Sequence, residues 1–504
     1  MTRKLSYLAM AALLLLPACN KNNGSEPVNP ATGNTYAGLN VVVGNSLRAE
    51  ADEAGTASEQ KVSKIDLIGN STTGIVKSWN EGQADQPDVF WKATTTPSQE
   101  LCTVAPFKTP FDGTQMIGLF INNNVTLTGL NVQNAQNYTY GTAAGLVTEI
   151  ADLTNANNFA MTSKMDSKVI SKGITEETVK TGTTEAQNVF TFDIERVIAK
   201  GVVAKGSALK AETNDGKGKV KLDDITFAAV NGAVKTYLFA NHAGDRTMGA
   251  DLQYNNYTSA IDGYVEFAAA KDASAVKDNL VRLGNISKDK AQLGGYAAKN
   301  VYADEAAAKA ADGIYFLENS VASTAMTDGN KAFGFYRFAS AKVYATFTPT
   351  QLMKWNETDK KMETLTGDAI TEGMTFYKGV TDGFLYDSKA SAKKSSVAPN
   401  QDVVTYTNGR CGYYALWNRQ EQPAKTVVNA NTRRNNIYLL TITAFQGLGM
   451  PWDSSDPDDP NLPKPGDDPN VTPEEPSIET QDSYMRVEAK ILPWNLVTRD
   501  VILK

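Results

Sequence analysis

Apolar residues in this chain recur at every second position in short runs, and long polar stretches separate the runs. That patterning limits the fold more than any other feature. Side chains alternate sides along a strand, so each run buries one face and wets the other. Residues 62–68 (VSKIDLI) predict a half-buried strand, and residues 116–125 predict another, stopped by asparagines. Residues 189–199 (VFTFDIERVIA) alternate at first and then become continuously apolar, which predicts one strand closing a first domain. Residues 225–230 run into Asn231-Gly232, and residues 234–239 return, which predicts a hairpin. Further strands are expected at 314–317, 336–338, 342–347, 374–377, 413–417 and 437–442. Helical spacing is rarer. Leu146, Ile150 and Leu153 suit a short helix within 141–155, and the alanine-rich stretch 289–311 suits another, broken by Gly294 and Gly295. The expected fold class is mainly β with small helices, its sheets burying one face each against a neighbour.

The 504 residues suffice for about two or three domains. The Gly-, Asp- and Lys-rich stretch 205–221 reads as the division between two of them. Net charge is −7 and no basic stripe is present, which argues against nucleic acid as a partner. Three cysteines exclude a disulfide framework. Cys102 and Cys411 are free to pair or to stay as two buried thiols. The single histidine, His242, excludes a histidine-rich zinc site and reads as a loop residue after a strand. The chain has 56 acidic residues, but no pair stands out as the carboxylates of a glycosidase, so no catalytic residue is assigned. No cofactor and no metal are expected.

Residues 451–476 break the strand pattern. They hold eight prolines and eight acidic residues, with Lys464 the only base. Proline removes ladder donors and like charges repel, so an extended solvated spacer is expected. Asp453, Asp456, Asp458 and Asp459 cluster there, but without the spacing of a calcium loop. Beyond the spacer, Tyr484, Arg486, Glu488 and Lys490 alternate with Met485, Val487, Ala489 and Ile491, followed by Leu492-Pro493-Trp494. This strand either packs at home or reaches another subunit by adding to its sheet.

The other end carries processing signals. Arg3 and Lys4 precede the apolar run 5–16, which is too short to span a membrane and suits a signal peptide. It ends in Leu16-Pro17-Ala18-Cys19, a lipobox-like sequence with Cys19 as the lipidated residue. Residues 20–35 read as a polar tether, and residues 36–47 (YAGLNVVVGNSL) as a strand. Arg48 follows directly. Residues 49–60 are acidic and small, and would form a mobile new N-terminus if the chain is cut between Arg48 and Ala49.

These pieces together resemble the fimbrillins of Porphyromonas and related Bacteroidetes. The resemblance rests on the lipobox and on the propiece ending at Arg48. It rests also on residues 194–200 (IERVIAK), on Gly412-Tyr413-Tyr414 with residues 434–438 (RNNIY), and on the spacer leading to residues 485–487 and 492–494. It implies two β-sandwich-like (transthyretin-like) domains and a C-terminal assembly strand. The implied organisation is a signal peptide at 1–19, a propeptide with a removable strand at 20–48, domains at 49–212 and 213–450, a spacer at 451–483 and a donor strand region at 484–504. It implies export as a palmitoylated lipoprotein to the outer membrane, then cleavage at Arg48 by an arginine-specific protease. Loss of a strand bearing Leu39, Val41, Val43 and Leu47 would open a groove. Met485, Val487, Ala489, Ile491 and Trp494 of another copy would fill it, building the shaft of a surface fimbrium that supports adhesion and biofilm formation. The implied partners are other copies, fimbrial anchor and tip proteins, and oral streptococcal or host surface proteins. A rival reading is a monomeric surface lipoprotein binding glycans or host proteins through Tyr413, Tyr414 and Trp417; the same aromatics equally suit a β core.

Overall fold

The structure is a computed structural model that describes residues 35–43, 59, 62–71, 73–80, 100–110, 112–125, 127–135, 138–140, 152–155, 158–230, 236–239, 299–318, 339–417, 432–451 and 485–493. Its described residues are mainly β, as the alternation predicts. One eight-stranded sheet runs in the order β3 (Ile75–Asn80), β2 (Lys64–Ile68), β5 (Gly113–Ile121), β7 (Met161–Ser163), β9 (Val189–Arg196), β1 (Tyr36–Val43) and β4 (Glu100–Lys108), with β8 (Asp166–Ile170) also on β5. A short pair joins β6 (Thr139–Tyr140) to β13 (Thr236–Tyr237). A four-stranded sheet has the order β15 (Ile314–Leu317), β10 (Ile198–Lys205), β23 (Asn436–Phe445) and β25 (Met485–Pro493). A six-stranded sheet has the order β14 (Lys299–Asn300), β12 (Thr226–Val230), β16 (Ser340–Pro349), β22 (Arg410–Leu416) and β24 (Met450–Pro451), with β11 (Gly218–Val220) on β16. The last sheet runs β18 (Lys361–Thr366), β17 (Gln351–Asn356), β20 (Leu385–Tyr386), β19 (Phe376–Gly379) and β21 (Val403–Tyr406). The short helices α1 (Glu176–Thr181), α2 (Glu305–Ala310) and α3 (Lys389–Lys393) each start at a side-chain cap, from Thr175, Asp304 and Ser388.

Two apolar clusters organise these sheets. The smaller lies on one face of the first sheet and includes Ala37, Leu39, Ile65, Leu67, Trp79, Phe107, Leu119 and Phe190. Trp79 and Phe107 meet edge to face at 5.2 Å. The larger begins on that sheet's opposite face, with Ile68, Phe120 and Phe159, and continues through the four-, six- and five-stranded sheets. Phe159 packs against Tyr315, and Phe120 against Phe239. At its centre Phe316 stacks on Trp417, 5.6 Å between centroids. Gly201 of β10 permits this, since a Cβ there would lie 2.7 Å from the Trp417 ring.

Several expectations change in the structure. Residues 65–68 are buried on both faces, because Asp66 is fully enclosed and satisfied by Ser78 (2.6 Å), Asn123 (2.8 Å) and Lys64 (3.0 Å). The run 189–199 is two strands, not one. Val197 leaves the ladder, and β10 continues into a different sheet. Sheet membership thus changes at Val197, β9 lying in the first sheet and β10 beside β23 in the four-stranded one. The hairpin expected around Asn231-Gly232 does not form: β12 pairs with β14 and β16, whereas Thr236–Tyr237 pairs with β6. Only the end of the region 289–311 is helical among the described residues, at α2. Residues 336–338, the apolar positions Leu146 and Ile150, Asn231-Gly232, His242 and almost all of the acidic spacer lie outside the described residues.

The last sheet is an insertion. β16 and β22 pair directly, from Ser340↔Leu416 to Thr346↔Arg410, and the five strands β17–β21 occupy the chain between them. Phe376, stacked on Tyr406 of the same unit, docks it by packing on Phe347 of β16, and the Tyr406 hydroxyl donates to the Gly449 carbonyl at 3.0 Å.

Candidate functional site

The strand expected to be removable is seated inside the first sheet. β1 runs parallel to β9, from Gly38↔Val189 to Val43↔Ile194, and antiparallel to β4, from Tyr36↔Lys108 to Val43↔Glu100, with an irregularity between Ala37 and Leu39. Both edges of β1 are therefore paired. Ala37 and Leu39 are each 1% exposed and belong to the smaller core. Of the residues named for this strand, Leu39 is placed in the core, Val41 and Val43 are placed on the ladder by backbone pairing with β4 and β9, and Leu47 lies outside the described residues, as do Arg48, Ala49 and Cys19.

Asn188 fixes the start of the strand. Its left-handed backbone (φ 55°) turns the chain into β9, a conformation asparagine tolerates better than most residues. Its side chain donates to the carbonyls of Tyr36 (3.0 Å) and Ser171 (2.9 Å), and its carbonyl accepts from the Gly38 amide (2.9 Å). The Thr35 carbonyl accepts from Thr109 (3.0 Å), and the Ile174 carbonyl accepts from the Tyr36 amide (2.9 Å). Helix α1 covers the strand on the face away from Ala37 and Leu39. Gly38 faces it so closely that a Cβ at this position would stand 2.7 Å from Val179 Cγ1. A glycine inside a strand pattern is the sequence signal of such an approach.

A polar cluster lies where β9 passes into β10. Glu59 and Lys200 form an ion pair at 2.8 Å with both side chains fully buried. The Tyr315 hydroxyl donates to the same Glu59 oxygen at 2.6 Å, and Arg196 Nε donates to the Glu59 carbonyl at 3.0 Å. Burial, and then the Glu59 carboxylate, push the Tyr315 hydroxyl far above the usual tyrosine range, so it remains a donor. Glu59 falls within the stretch expected to be mobile, and the structure corrects that for this residue. Acidic composition gave no sign of it, because the partners come from 141 and 256 residues away.

The segments 194–200 and 434–438 meet at this cluster. The amide and guanidinium of Arg196 both donate to Asn435 Oδ1 at 3.2 Å, the Asn435 amide donates to the Ile198 carbonyl at 2.7 Å, and β10 runs parallel to β23. Arg434 forms a second clamp beside it. Its guanidinium pairs with Glu318 at 2.7 Å and donates to Thr236 Oγ1 (2.8 Å) and to the carbonyls of Leu238 (3.0 Å) and Tyr237. Burial opposes its charge, and Glu318 more than offsets this, so the Arg434 pKa is raised. Thr162 of β7 donates to the Leu238 carbonyl (2.8 Å), which ties the first sheet to the same clamp.

Met485, Val487, Ala489 and Ile491 lie on β25, which pairs antiparallel with β23 of its own chain, from Asn436↔Pro493 to Phe445↔Met485. This is the at-home arrangement, on the outer edge of the four-stranded sheet; Trp494 lies outside the described residues. Tyr413 and Trp417 are fully buried, which places them in the core and removes them as a glycan surface. Cys411 is a buried free thiol, and burial pushes its pKa up to about 11. Among the described residues, no three metal-binding side chains converge, and no helix is long and apolar enough to cross a membrane.

Comparison with known proteins adds to this geometry. Residues 404–500 match the family described as "Major fimbrial subunit protein type IV, Fimbrillin, C-terminal", a span that takes in β22, β23 and β25. Two curated proteins from Porphyromonas gingivalis, each named "Minor fimbrium subunit Mfa1", are 32% identical over 155 residues, covering 26% of this chain. The match spans 30% of the length of those relatives. Among solved structures, a fimbrilin (fimA) from Porphyromonas gingivalis W83 is similar over 92% of this chain and 99% of its own, at 15% identity and TM-score 0.40. A putative cell adhesion protein from Parabacteroides distasonis is similar over the same shares, at 11% identity and TM-score 0.43. Residues 404–500 are thus similar to the C-terminal region of fimbrillins.

Proposed function

We propose that this chain is the exported precursor of a fimbrial subunit that polymerises by strand exchange at the cell surface. The observation that carries the reading is the seat of β1. It is the first described strand, it precedes Arg48, and it is paired on both edges while Ala37 and Leu39 fill the core. Cleavage after Arg48 would leave β1 attached to the fold only by noncovalent contacts. Its departure would expose the facing edges of β9 and β4 together with the apolar wall that Ala37 and Leu39 cover. Unpaired backbone groups beside apolar side chains are costly until another strand covers them. A strand of about a dozen residues buries several hundred Å² of apolar surface, worth on the order of 10 kcal/mol before ordering costs.

Residues 484–504 of a second copy are the proposed replacement. The edge position of β25 supports this, because releasing it breaks one ladder only, that with β23. The spacer 451–483 supplies reach. Cys19 would deliver the precursor to the outer membrane as a lipoprotein, and the cut would release the mature subunit, with Ala49 first, into an extracellular fimbrium. Adhesion to host or bacterial surfaces belongs to the assembled filament, with anchor and tip proteins as further partners.

The test begins with purified precursor incubated with an arginine-specific protease. Filaments in the electron microscope, and subunits starting at Ala49 by mass spectrometry, are the expected results. Arg48→Ala should stay monomeric, and deletion of residues 484–504 should give a folded subunit that does not assemble. Filaments from either variant would refute the scheme.

A further inference from the structure

We infer that α1 is a lid over the strand slot, closed on β1 in the precursor and lifted when another subunit's strand enters. The inference rests on the exchange reading above and names the element that must move for it. Val179, 5% exposed, projects from α1 onto Gly38, and any Cβ at the Gly38 position would come within 2.7 Å of its Cγ1. Real Cβ atoms do not sit that close, so the occupant must be glycine or the lid must shift. Valine is stiff in a helix, where one χ1 rotamer dominates, so the side chain alone gives little room.

Residues 484–504 contain no glycine, and Ala489 is their only alanine. Every position of the proposed donor therefore carries a Cβ. Side-chain alternation makes the conflict sharper. If Met485, Val487, Ala489 and Ile491 take the core face held by Ala37 and Leu39, a residue such as Arg486, Glu488 or Lys490 falls beneath Val179. Moving Ala489 under Val179 instead turns Glu488 and Lys490 into the apolar core, where unpaired charge is not tolerated. The closed position of α1 thus fits its own leader strand and excludes the donor.

The lid has the construction of an element that can open. It is six residues long, with Thr175 as its cap, and Val179 is its only buried residue. Opening would also release the contact of α1 with the face of β1 at Gly38. Gly38 and Val179 then keep a neighbouring subunit's strand out of an uncut precursor, a second safeguard beside the propeptide itself.

The experiment compares hydrogen–deuterium exchange across residues 174–182 in the full-length precursor and in filaments grown from it after arginine-specific cleavage. Protection in the precursor and its loss in the filament is expected. Equal protection in both, in filaments that have formed, would overturn the lid while leaving strand exchange standing. Failure of cleaved precursor to form filaments would instead overturn the exchange reading itself. As a second arm, Val179→Ala should assemble several-fold faster after cleavage, with the rate of cutting at Arg48 unchanged. An unchanged assembly rate would count against the lid.

Discussion

The Glu59–Lys200 pair offers the most demanding test of how the chain is held together. Both side chains are fully buried at 2.8 Å, and Tyr315 donates to the same carboxylate. Lys200→Met would leave a buried carboxylate without its ammonium, and Glu59→Gln would leave the ammonium facing an amide. Breaking one side of such a pair costs about 3–5 kcal/mol, whereas replacing both sides is often neutral. The double variant Glu59→Gln/Lys200→Met should therefore melt close to the wild type, since the amide oxygen still accepts from Tyr315. At roughly 2–4 °C per kcal/mol, each single variant should lose on the order of 10 °C. Differential scanning calorimetry of the four proteins closes the cycle, with the exposed pair Lys180–Glu176, at 52% and 47% exposure, as a control whose Lys180→Met variant melts unchanged. Glu59 follows Arg48 in the chain, so the same cycle should hold after arginine-specific cleavage. Losses that simply add in the double variant would show that the two groups are not coupled, and the account of the junction would fail.

Other outcomes follow from the same geometry. Leu39→Ala should destabilise the precursor by about 2–5 kcal/mol and have no effect on the mature subunit, where residue 39 is absent; equal losses before and after cleavage would contradict the removable strand. Arg434→Met should cost about 3–5 kcal/mol, because it leaves the Glu318 carboxylate buried without its guanidinium; a melting temperature within about 2 °C of wild type would rule this out. Burial raises Cys411 to about 11 and Tyr438 to about 12 in the folded chain. Their contribution is complete below the unfolded thiol pKa of about 8.5 and falls as pH climbs through these raised values, so stability measured by urea titration should decline between about pH 9 and 12. In the native protein at pH 8, Cys411 should resist iodoacetamide and react only after unfolding; rapid native labelling would refute its burial.

Local periodicity was enough to find strands whose two faces meet different environments or whose apolar run is long. Residues 437–442 and 314–317 are examples. It could not say which strands pair. Asn231-Gly232 is a sound turn signal, yet Thr236–Tyr237 pairs with Thr139–Tyr140, nearly a hundred positions earlier, because the Arg434 clamp holds that segment at the junction. The run 189–199 hid a change of sheet, since Val197 is as apolar as its neighbours and only its partner, the Ala160 carbonyl, marks the break. The inserted strands β17, β18 and β21 were largely missed, because their half-exposed faces carry mixed side chains. The proposed site was legible as a strand next to an arginine. The lid was not, although Gly38 within YAGLNVVV was its visible mark. Glu59 was hidden by its acidic, small-residue surroundings, which describe an arm and not a buried anchor.

The double pairing of β1 has a mechanical consequence. A strand bonded to β9 on one edge and β4 on the other, lying along both, meets a pull along its axis with all its cross-strand bonds at once. It cannot yield by one residue, since a single step would turn its core-facing side chains outward. A pull at right angles, applied at one end, meets those bonds one after another. Any strand occupying that slot is thus gripped in shear and peels far more easily, so a fibre built on it would resist stretching along its length and come apart first where it is bent sharply.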